Sequence, residues 1–185
     1  MRRGYLGEKD FPKIIVAAAK LMEAPIYIDE TPRLSIPEIR IRAKSLKLDK
    51  KIRLLMIDSL QQLVAPNAND SAVALKLLAR ELQVPVVITS SISPMADRRG
   101  DKRPILADLA DVESLEQEAD VILFLYRDEL YNPDRENRNE LDVTVAKNRN
   151  GPTGLIRAWY APELSKISDF PYSEEDYSRE EDEQP

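Results

Sequence analysis

Hydrophobic and polar positions along the chain follow two different periods. Short, continuous apolar runs bounded by polar residues recur between segments in which apolar residues return every three or four positions. The first pattern is typical of buried strands and the second of amphipathic helices. Their alternation predicts an α/β fold with a mostly parallel sheet flanked by helices.

The same pattern gives approximate bounds for the elements. The predicted helices cover residues 9–23, 36–48, 71–83 and 112–118. The predicted strands cover residues 25–30, 53–58, 85–90, 121–126, 140–148 and 154–161. We expect the strands at 53–58, 85–90 and 121–126 to lie side by side in one parallel sheet, because strands and helices alternate there. The last two strands follow each other without a helix, which predicts an antiparallel edge.

Two helices carry a start signal in the sequence. Asp10 stands where the first helix is expected to begin, and an aspartate there can cap a backbone N–H of the first turn. Ser35 and Glu38 have the spacing of a capping box at the start of the second helix. The segments at 91–107 and 127–139 are polar and are predicted to be loops.

The composition excludes several kinds of chemistry. The 185 residues include no cysteine and no histidine, so disulfides, thiolate zinc sites, histidine metal ligands and Ser-His-Asp catalysis are excluded within them. Chemistry must come from carboxylates, lysine, arginine, hydroxyl groups and a bound cofactor. No apolar run approaches the roughly 20 residues that span a bilayer. The first residues do not resemble a secretory signal, and a cytoplasmic location is expected.

The net charge is concentrated at the end of the sequence. The whole chain carries a net charge of −6, and residues 173–185 alone hold seven acidic residues and one basic residue. This segment has almost no apolar content and is predicted to be a disordered tail. Residues 1–172 are predicted to form one neutral folded domain. A neutral body does not indicate strong nucleic-acid binding, although it permits a local basic groove.

Asp58 closes the apolar run at 53–58. Ligands of open α/β sheets bind at the carboxyl ends of the strands. A carboxylate there can hold the magnesium ion of a nucleotide, directly or through water. An acid that merely caps the next turn would give the same pattern, so the residues alone leave both interpretations open.

Lys147 and Arg149 lie one residue apart, after an apolar strand and before Gly151. Cations with this spacing on an extended segment point the same way, and they could clamp phosphate oxygens. A solvated strand end would give the same residues, and this alternative also stays open.

A basic cluster lies in the polar loop that follows the strand at 85–90. Its members are Arg98, Arg99, Lys102 and Arg103. Such a cluster could meet a nucleic-acid backbone. Surface charge balanced by Asp97 and Asp101 is the alternative interpretation.

The order and spacing of several segments resemble the C-terminal motor domain of the bacterial replicative hexameric DNA helicases, the DnaB family. The resemblance covers residues 3 to 170, approximately. It rests on LLMIDSLQ, LARELQVPVVITSSIS, DKRPILADL, SLEQEADVILFLYRDELYNPD and AKNRNGPTG, in this order. The segments EQEADVILFLYRDELYNP and AKNRNGP are the most specific to this family.

The resemblance implies a RecA-like fold, hydrolysis of ATP with Mg²⁺ at the subunit interfaces of a ring hexamer, and movement along single-stranded DNA. Asp58 matches the family's Walker B aspartate. Lys147 and Arg149 match the basic pair that reaches the nucleotide of the neighbouring subunit. An arginine in that role stabilises charge on the transferred phosphoryl group.

Several positions depart from the family's pattern. The sequence contains no G-x-x-x-x-G-K-[ST] motif, which would form the phosphate-binding loop, and no residue matches the family's catalytic glutamate. Ser91 stands where the family has a glutamine that senses the terminal phosphate. In the DNA-contacting loop Ala110 replaces an arginine, Asp111 follows it, and Glu113 replaces a glycine. These changes are expected to weaken contact with DNA phosphates.

Two explanations of the departures remain open. The chain is either part of a longer gene product or a free-standing degenerate paralogue, and truncation alone does not explain Ser91, Ala110 and Glu113. The leading hypothesis is the C-terminal part of a DnaB-type helicase that hydrolyses no ATP by itself. The alternatives are a non-catalytic protein that docks on an intact helicase and modulates it and, more weakly, a RecA- or RadA-type recombinase motor.

Overall fold

The structure, a computed structural model, describes residues 7, 10–64, 68–134 and 138–169, without the side chains of residues 68, 69 and 110–113. The predicted tail at 173–185 lies outside these residues. The chain divides into two compact units, described separately below. The first contains residues up to Ser91 together with 111–118, and the second contains 92–110 together with residues from 119 onward. In the part of the chain that is described, no helix is long and apolar enough to cross a membrane.

The first unit packs helices against a short parallel sheet. Its elements are α1 (Phe11–Glu23), α2 (Ile36–Lys50), β1 (Leu55–Ile57), α3 (Ala68–Leu82), β2 (Val86–Ile88) and α4 (Glu113–Glu118). Strands β1 and β2 pair in parallel. The buried core joins α2, α3 and the segments that follow β1 and α3, through Ile39, Ala43, Leu60, Leu75, Leu78, Leu82 and Val84.

The start of α2 confirms the capping box. The Ser35 N–H donates to Glu38 Oε2 at 2.9 Å, and the Glu38 N–H donates to Ser35 Oγ at 3.5 Å. Asp10 does precede α1, but its side chain makes no cap bond to that helix. Its carboxylate accepts instead from the Gly7 N–H at 3.0 Å. The predicted position of the cap is therefore right, but the predicted side-chain hydrogen bond to the helix is wrong.

The strand predicted at 25–30 is wrong. These residues have no ladder partner among the described strands. Side chains hold the segment instead, since Asp29 accepts from the Thr31 N–H at 3.0 Å and from Arg42 Nη1 at 2.5 Å. Because Arg42 belongs to α2, the segment is tied to a helix and not to a sheet.

The second unit is built on an antiparallel sheet. Its strands are β3 (Val121–Tyr126), β4 (Glu140–Asn148), β5 (Gly154–Ala161) and β6 (Lys166–Asp169), in the order β3-β4-β5-β6. The bounds of β3, β4 and β5 agree with the prediction, and β6 was not predicted. Short 3₁₀ helices occupy parts of both units, at Leu60–Gln62, Pro94–Arg98, Leu106–Val112 and Asp128–Leu130.

The α/β class is confirmed, but the expected row of three parallel strands is wrong. In the described ladders β1 pairs with β2, whereas β3 pairs with β4 and belongs to the antiparallel sheet. All six residues of β3 lie in that ladder, from Val121 opposite Asn148 to Tyr126 opposite Asp142. The segment between β2 and β3 contains only a six-residue α-helix, α4. An apolar run indicates a strand but does not specify its partner, and here β4 is the partner of β3 along its whole length.

Candidate functional site

A polar cluster lies at the carboxyl ends of β1 and β2. Asp58 follows β1 directly and Thr89 follows β2 directly, so the parallel register brings them together. Thr89 Oγ1 donates a hydrogen bond to Asp58 Oδ1 at 2.5 Å. The Thr89 N–H donates to the Ile57 carbonyl at 3.1 Å and fixes the residue in place. The carboxylate is therefore oriented through one oxygen, and no described residue donates to the other.

Gln61 extends this cluster to the residues after β2. The Leu60 N–H donates to the Thr89 carbonyl at 2.9 Å, which holds the 3₁₀ helix beside the end of β2. Gln61 Nε2 then donates to Ser90 Oγ at 2.9 Å, and the Ser91 N–H donates to Gln61 Oε1 at 3.2 Å. Ser91 therefore has a glutamine amide beside it, contributed by the segment after β1.

Sequence reasoning singled out Asp58 and Ser91 but missed Thr89 and Gln61. The signal that could have found them is position alone. Each lies within the first few residues after a strand, at the edge of a parallel sheet where ligands bind. Their residue types did not indicate a functional site, because threonine and glutamine are common in exposed loops.

The chemistry of the cluster fits a magnesium ion that arrives with a nucleotide. Such an ion is bound by one or two carboxylates together with phosphate oxygens and waters. Asp58 offers one exposed carboxylate, of which one oxygen accepts no hydrogen bond from a described residue. No group of three or more acidic ligands exists among the residues that the structure describes. The cluster can therefore assist in holding magnesium but cannot form a complete protein cage for it.

Lys147 and Arg149 lie at the end of β4, in the second unit. Lys147 is paired with Ile122 in the ladder. Arg149 lies in the turn beyond β4, where its N–H donates to the Asp120 carbonyl at 2.9 Å. Its Nε lies 4.0 Å from Asp120 Oδ1 and its side chain is 46% exposed. A surface ion pair of this length contributes little to stability.

Asn148 organises the turn between β4 and β5. Its Nδ2 donates to the Pro152 carbonyl at 3.2 Å, and its Oδ1 accepts from the Asn150 N–H at 3.2 Å. A Cβ at Gly151 would lie 2.8 Å from Asn148 Nδ2. Glycine is therefore the residue that fits beside the bonded amide. The segment AKNRNGP thus forms an ordered hairpin that carries two cations.

Two members of the basic cluster are bound to buried carboxylates of the second unit. Arg99 makes two parallel bonds to Asp108, from Nη1 at 2.6 Å and from Nη2 at 2.9 Å. Arg103 binds Asp142 Oδ2 through Nη2 at 2.9 Å and Nε at 3.2 Å. Asp108 and Asp142 are 4% and 3% exposed. The hydrogen bonds from Arg99 lower the pKa of Asp108 against the opposing effect of burial, so this carboxyl stays charged.

The other two members of the cluster differ from each other. Lys102 Nζ donates to the Asp97 carbonyl at 2.5 Å and lies 5.4 Å from the centre of the Tyr131 ring. Arg98 is exposed and bonds to no residue that the structure describes. Sequence reasoning treated the four cations as equivalent. The structure distinguishes them by what they bind.

Ala110, Asp111 and Glu113 lie where the 3₁₀ helix at Leu106–Val112 passes into α4. The structure does not describe the side chains of these residues. The weak DNA contact expected at these positions stays a prediction.

The comparison with known proteins identifies a family. The model of the DnaB-like helicase C terminal domain matches residues 1–169. The replicative DNA helicase DnaB of Geobacillus stearothermophilus is 37% identical over 176 residues, which cover 90% of this chain and 39% of that protein. The replicative DNA helicase DnaC of Bacillus subtilis (strain 168) is also 37% identical, with the same coverage of both chains.

Two solved structures have the same fold. A solved ATPase domain superimposes with a TM-score of 0.82 at 33% identity, covering 91% of this chain and 63% of that one. A DnaB-like replicative helicase, studied for its interactions with primase, gives a TM-score of 0.83 at 32% identity, covering 91% and 42%. The RecA-like class is confirmed. This chain spans about two fifths (39%) of the length of the curated relatives that it matches. It belongs to the DnaB-like helicase C-terminal domain family.

Proposed function

We propose that this chain is the C-terminal part of a DnaB-type replicative helicase motor. In that function ATP hydrolysis between the subunits of a ring hexamer drives movement along single-stranded DNA and unwinding of the duplex. The observation that carries the proposal is Asp58, oriented by Thr89 at the carboxyl end of a parallel strand in a chain of this family. A RecA- or RadA-type recombinase is less well supported, because the relatives are named as helicases.

Asp58 would hold the Mg²⁺ of bound ATP. Thr89 restrains one carboxylate oxygen and leaves the other available to the ion or to one of its waters. When bound with ATP, magnesium neutralises charge on the phosphate oxygens. Gln61 and Ser91 offer an amide and a hydroxyl at the same edge. We assign Ser91 the position of the family's phosphate sensor, with a shorter reach than glutamine.

Lys147 and Arg149 would act on the nucleotide of a neighbouring subunit. The hairpin supports this role because Asn148 and Gly151 order its backbone, while the Arg149 side chain remains about half exposed. A guanidinium directed at a transferred phosphoryl group stabilises the charge that develops there. This role needs no phosphate-binding loop within the same chain.

A chimera tests the proposal at Asp58. The part of the Geobacillus stearothermophilus helicase that precedes its match to this chain would be joined to residues 1–185. We expect the chimera to hydrolyse ATP with magnesium and Asp58→Asn to abolish turnover. Asp49→Asn, which changes another exposed aspartate of the first unit, is the control that should retain it. Equal turnover in the two variants would contradict the role of Asp58.

A second function is favoured by two separate features, the ordered hairpin at the end of β4 and the departure from the family's glutamine at Ser91. A chain of this kind could dock on an intact helicase and modulate it by offering or withholding Lys147 and Arg149. Mixing this chain with an intact DnaB-family helicase should then change the rate of ATP turnover. The change should disappear in Lys147→Ala/Arg149→Ala and persist in Lys166→Ala, which removes an exposed cation of β6. Absence of a complex in gel filtration and crosslinking would exclude this function.

A further inference from the structure

Arg99 fixes the conformation of the loop at residues 94–104 through hydrogen bonds to other residues of the second unit. Besides its two bonds to Asp108, Arg99 donates from Nη2 to the Arg103 carbonyl at 2.7 Å and from Nε to the Asp101 carbonyl at 3.3 Å. All three of its nitrogens therefore face protein acceptors. An arginine in this state has no free pair of N–H groups with which to grip a phosphate.

Arg103 clamps the same loop to the antiparallel sheet. It binds Asp142, a buried residue of β4, and its guanidinium lies 5.0 Å from the centre of the Tyr126 ring. Tyr126 belongs to β3, so one side chain joins the loop to two strands. If Arg103 or Arg99 swung out to meet DNA, a buried carboxylate would lose its charge partner, which is strongly unfavourable.

Lys102 is also turned inward. Its bond to the Asp97 carbonyl and its position near the Tyr131 ring hold it against the loop. Tyr131 in turn donates from its hydroxyl to Asp97 Oδ1 at 2.8 Å. Among the cations at residues 98–103, Arg98 alone has no bond to a described residue.

Arg98 has an exposed apolar neighbour. Met95 and Arg98 are three residues apart in the 3₁₀ helix at Pro94–Arg98, and side chains with this spacing eclipse each other in such a helix. Met95 is 59% exposed. A Cβ at Gly100 would meet no atom within 4 Å, so the loop beside them is open. A free cation and a polarisable apolar side chain therefore stand together on a loop whose base is fixed.

We infer that Arg98 contacts a phosphate of single-stranded DNA and Met95 the adjacent base, whereas Arg99 and Arg103 position the loop and do not touch DNA. The inference rests on the proposed function, of which it defines one contact. Backbone phosphates and base faces are the two features of a single strand that proteins bind without regard to sequence. The cation of Arg98 suits the phosphate of one nucleotide, and the apolar side chain of Met95 suits its base.

Salt dependence tests the contact. Binding of the 185-residue chain to a fluorescent oligo-dT would be followed by anisotropy, starting at low salt. Arg98→Ala should reduce the slope of log K against log salt by about 0.7, which is one phosphate of a single strand. Met95→Ala should weaken binding without changing the slope, because it releases no counterion. Arg53→Ala, at an exposed position of the first unit, should change neither.

Thermal unfolding tests the positioning role separately. Arg99→Ala and Arg103→Ala should each lower Tm by roughly 3 °C or more, while Arg98→Ala should leave it unchanged. The inference is overturned if Arg98→Ala keeps the wild-type slope, or if Arg99→Ala reduces the slope without lowering Tm. Failure of the wild-type chain to bind oligo-dT at low salt would reject both the proposed DNA activity and the Arg98 contact. The Tm values would still decide the role of Arg99 and Arg103.

Discussion

At the scale of a residue, the hydroxyl group of Thr89 determines the orientation of the Asp58 carboxylate. A short O–H···O⁻ hydrogen bond is among the stronger ones in proteins, and Thr89 makes such a bond at 2.5 Å. The bond selects one orientation of an otherwise exposed side chain. Asp58 therefore presents its second oxygen in a fixed direction before any ion arrives.

Replacing Thr89 with valine should weaken the response to magnesium without unfolding the chain. Valine keeps the shape of threonine but cannot donate to Asp58, and loss of a partner that orients a metal ligand typically costs about tenfold or more in affinity. In the ATP-hydrolysing chimera, the magnesium concentration for half-maximal turnover should rise by about tenfold. Thr89→Ser keeps the hydroxyl and should behave like the wild type. An unchanged magnesium response in the valine variant would contradict the role assigned to the bond.

Replacing Gly151 with alanine should destabilise the turn between β4 and β5. In Gly151→Ala the new Cβ would stand 2.8 Å from Asn148 Nδ2, so Asn148 must give up its bonds to the turn. We expect a loss of about 1–2 kcal/mol in the free energy of unfolding, measured with urea. Gly100→Ala is the matched control, since nothing lies within 4 Å of its Cβ position. Equal stabilities of the two variants would show that the turn does not depend on Asn148.

At the scale of elements, a carboxylate joins α2 to α3. Glu81 of α3 accepts from Arg40 at 2.7 and 2.9 Å and also pairs with Lys44, and both cations belong to α2. The hydrogen bonds from Arg40, followed by that from Lys44, lower the pKa of Glu81 to about 2. A pKa below the ordinary 4.5 means that folding favours the charged form. The stabilisation is therefore complete above pH 4.5 and is lost as the pH falls towards 2.

Glu81→Gln should accordingly remove a part of the acid sensitivity. The variant should be less stable than the wild type at neutral pH, and the difference in Tm should shrink as the pH falls from about 4.5 to about 2. Glu23→Gln, at the exposed end of α1, should produce no such trend. A constant difference in Tm across this range would rule out the ion pair as its cause.

The elements that the sequence predicted well are those with local signals. Strands β3, β4 and β5 were bounded correctly because each is an apolar or alternating run that ends at turn residues. The start of α2 follows from its capping box, which needs only Ser35 and Glu38. The strand predicted at 25–30 failed because alternation does not say whether a partner strand is present.

The residues of the candidate site also divide into those that local sequence signals indicate and those that depend on the fold. Asp58, Lys147 and Arg149 could be singled out because each lies at the end of an apolar strand or just after it. The roles of Arg99 and Arg103 could not be foreseen, because their partners lie 9 and 39 positions further along the chain. Only the fold brings the loop to those carboxylates, so the sequence could not separate clamping cations from the free Arg98.

At the scale of the whole molecule, the strands are less covered than their composition suggests. Apolar parallel strands are normally buried on both faces, yet Met56 of β1 and Val87 of β2 are 67% and 45% exposed. In β3, Phe124 is buried while Leu125 is 63% exposed. A continuous apolar run therefore predicted the strands correctly but overestimated the burial of their second face.

The 185-residue chain by itself should bind ATP weakly and hydrolyse none above background. Backbone N–H groups and the lysine of a phosphate-binding loop normally cradle the phosphates, and its motif is not in this sequence. Asp58 alone can hold only a nucleotide's magnesium. Isothermal titration that gave micromolar affinity for magnesium-ATP would contradict this expectation.

The hairpin at the end of β4 has an entropic consequence for the proposed ring. Fixing the backbone of one flexible residue costs about 1–2 kcal/mol, but the bonds of Asn148 to Asn150 and Pro152 already order this turn. Engagement of a neighbour's phosphates would then immobilise side chains and very little backbone. Contact could be made and broken in every cycle without a loop having to fold.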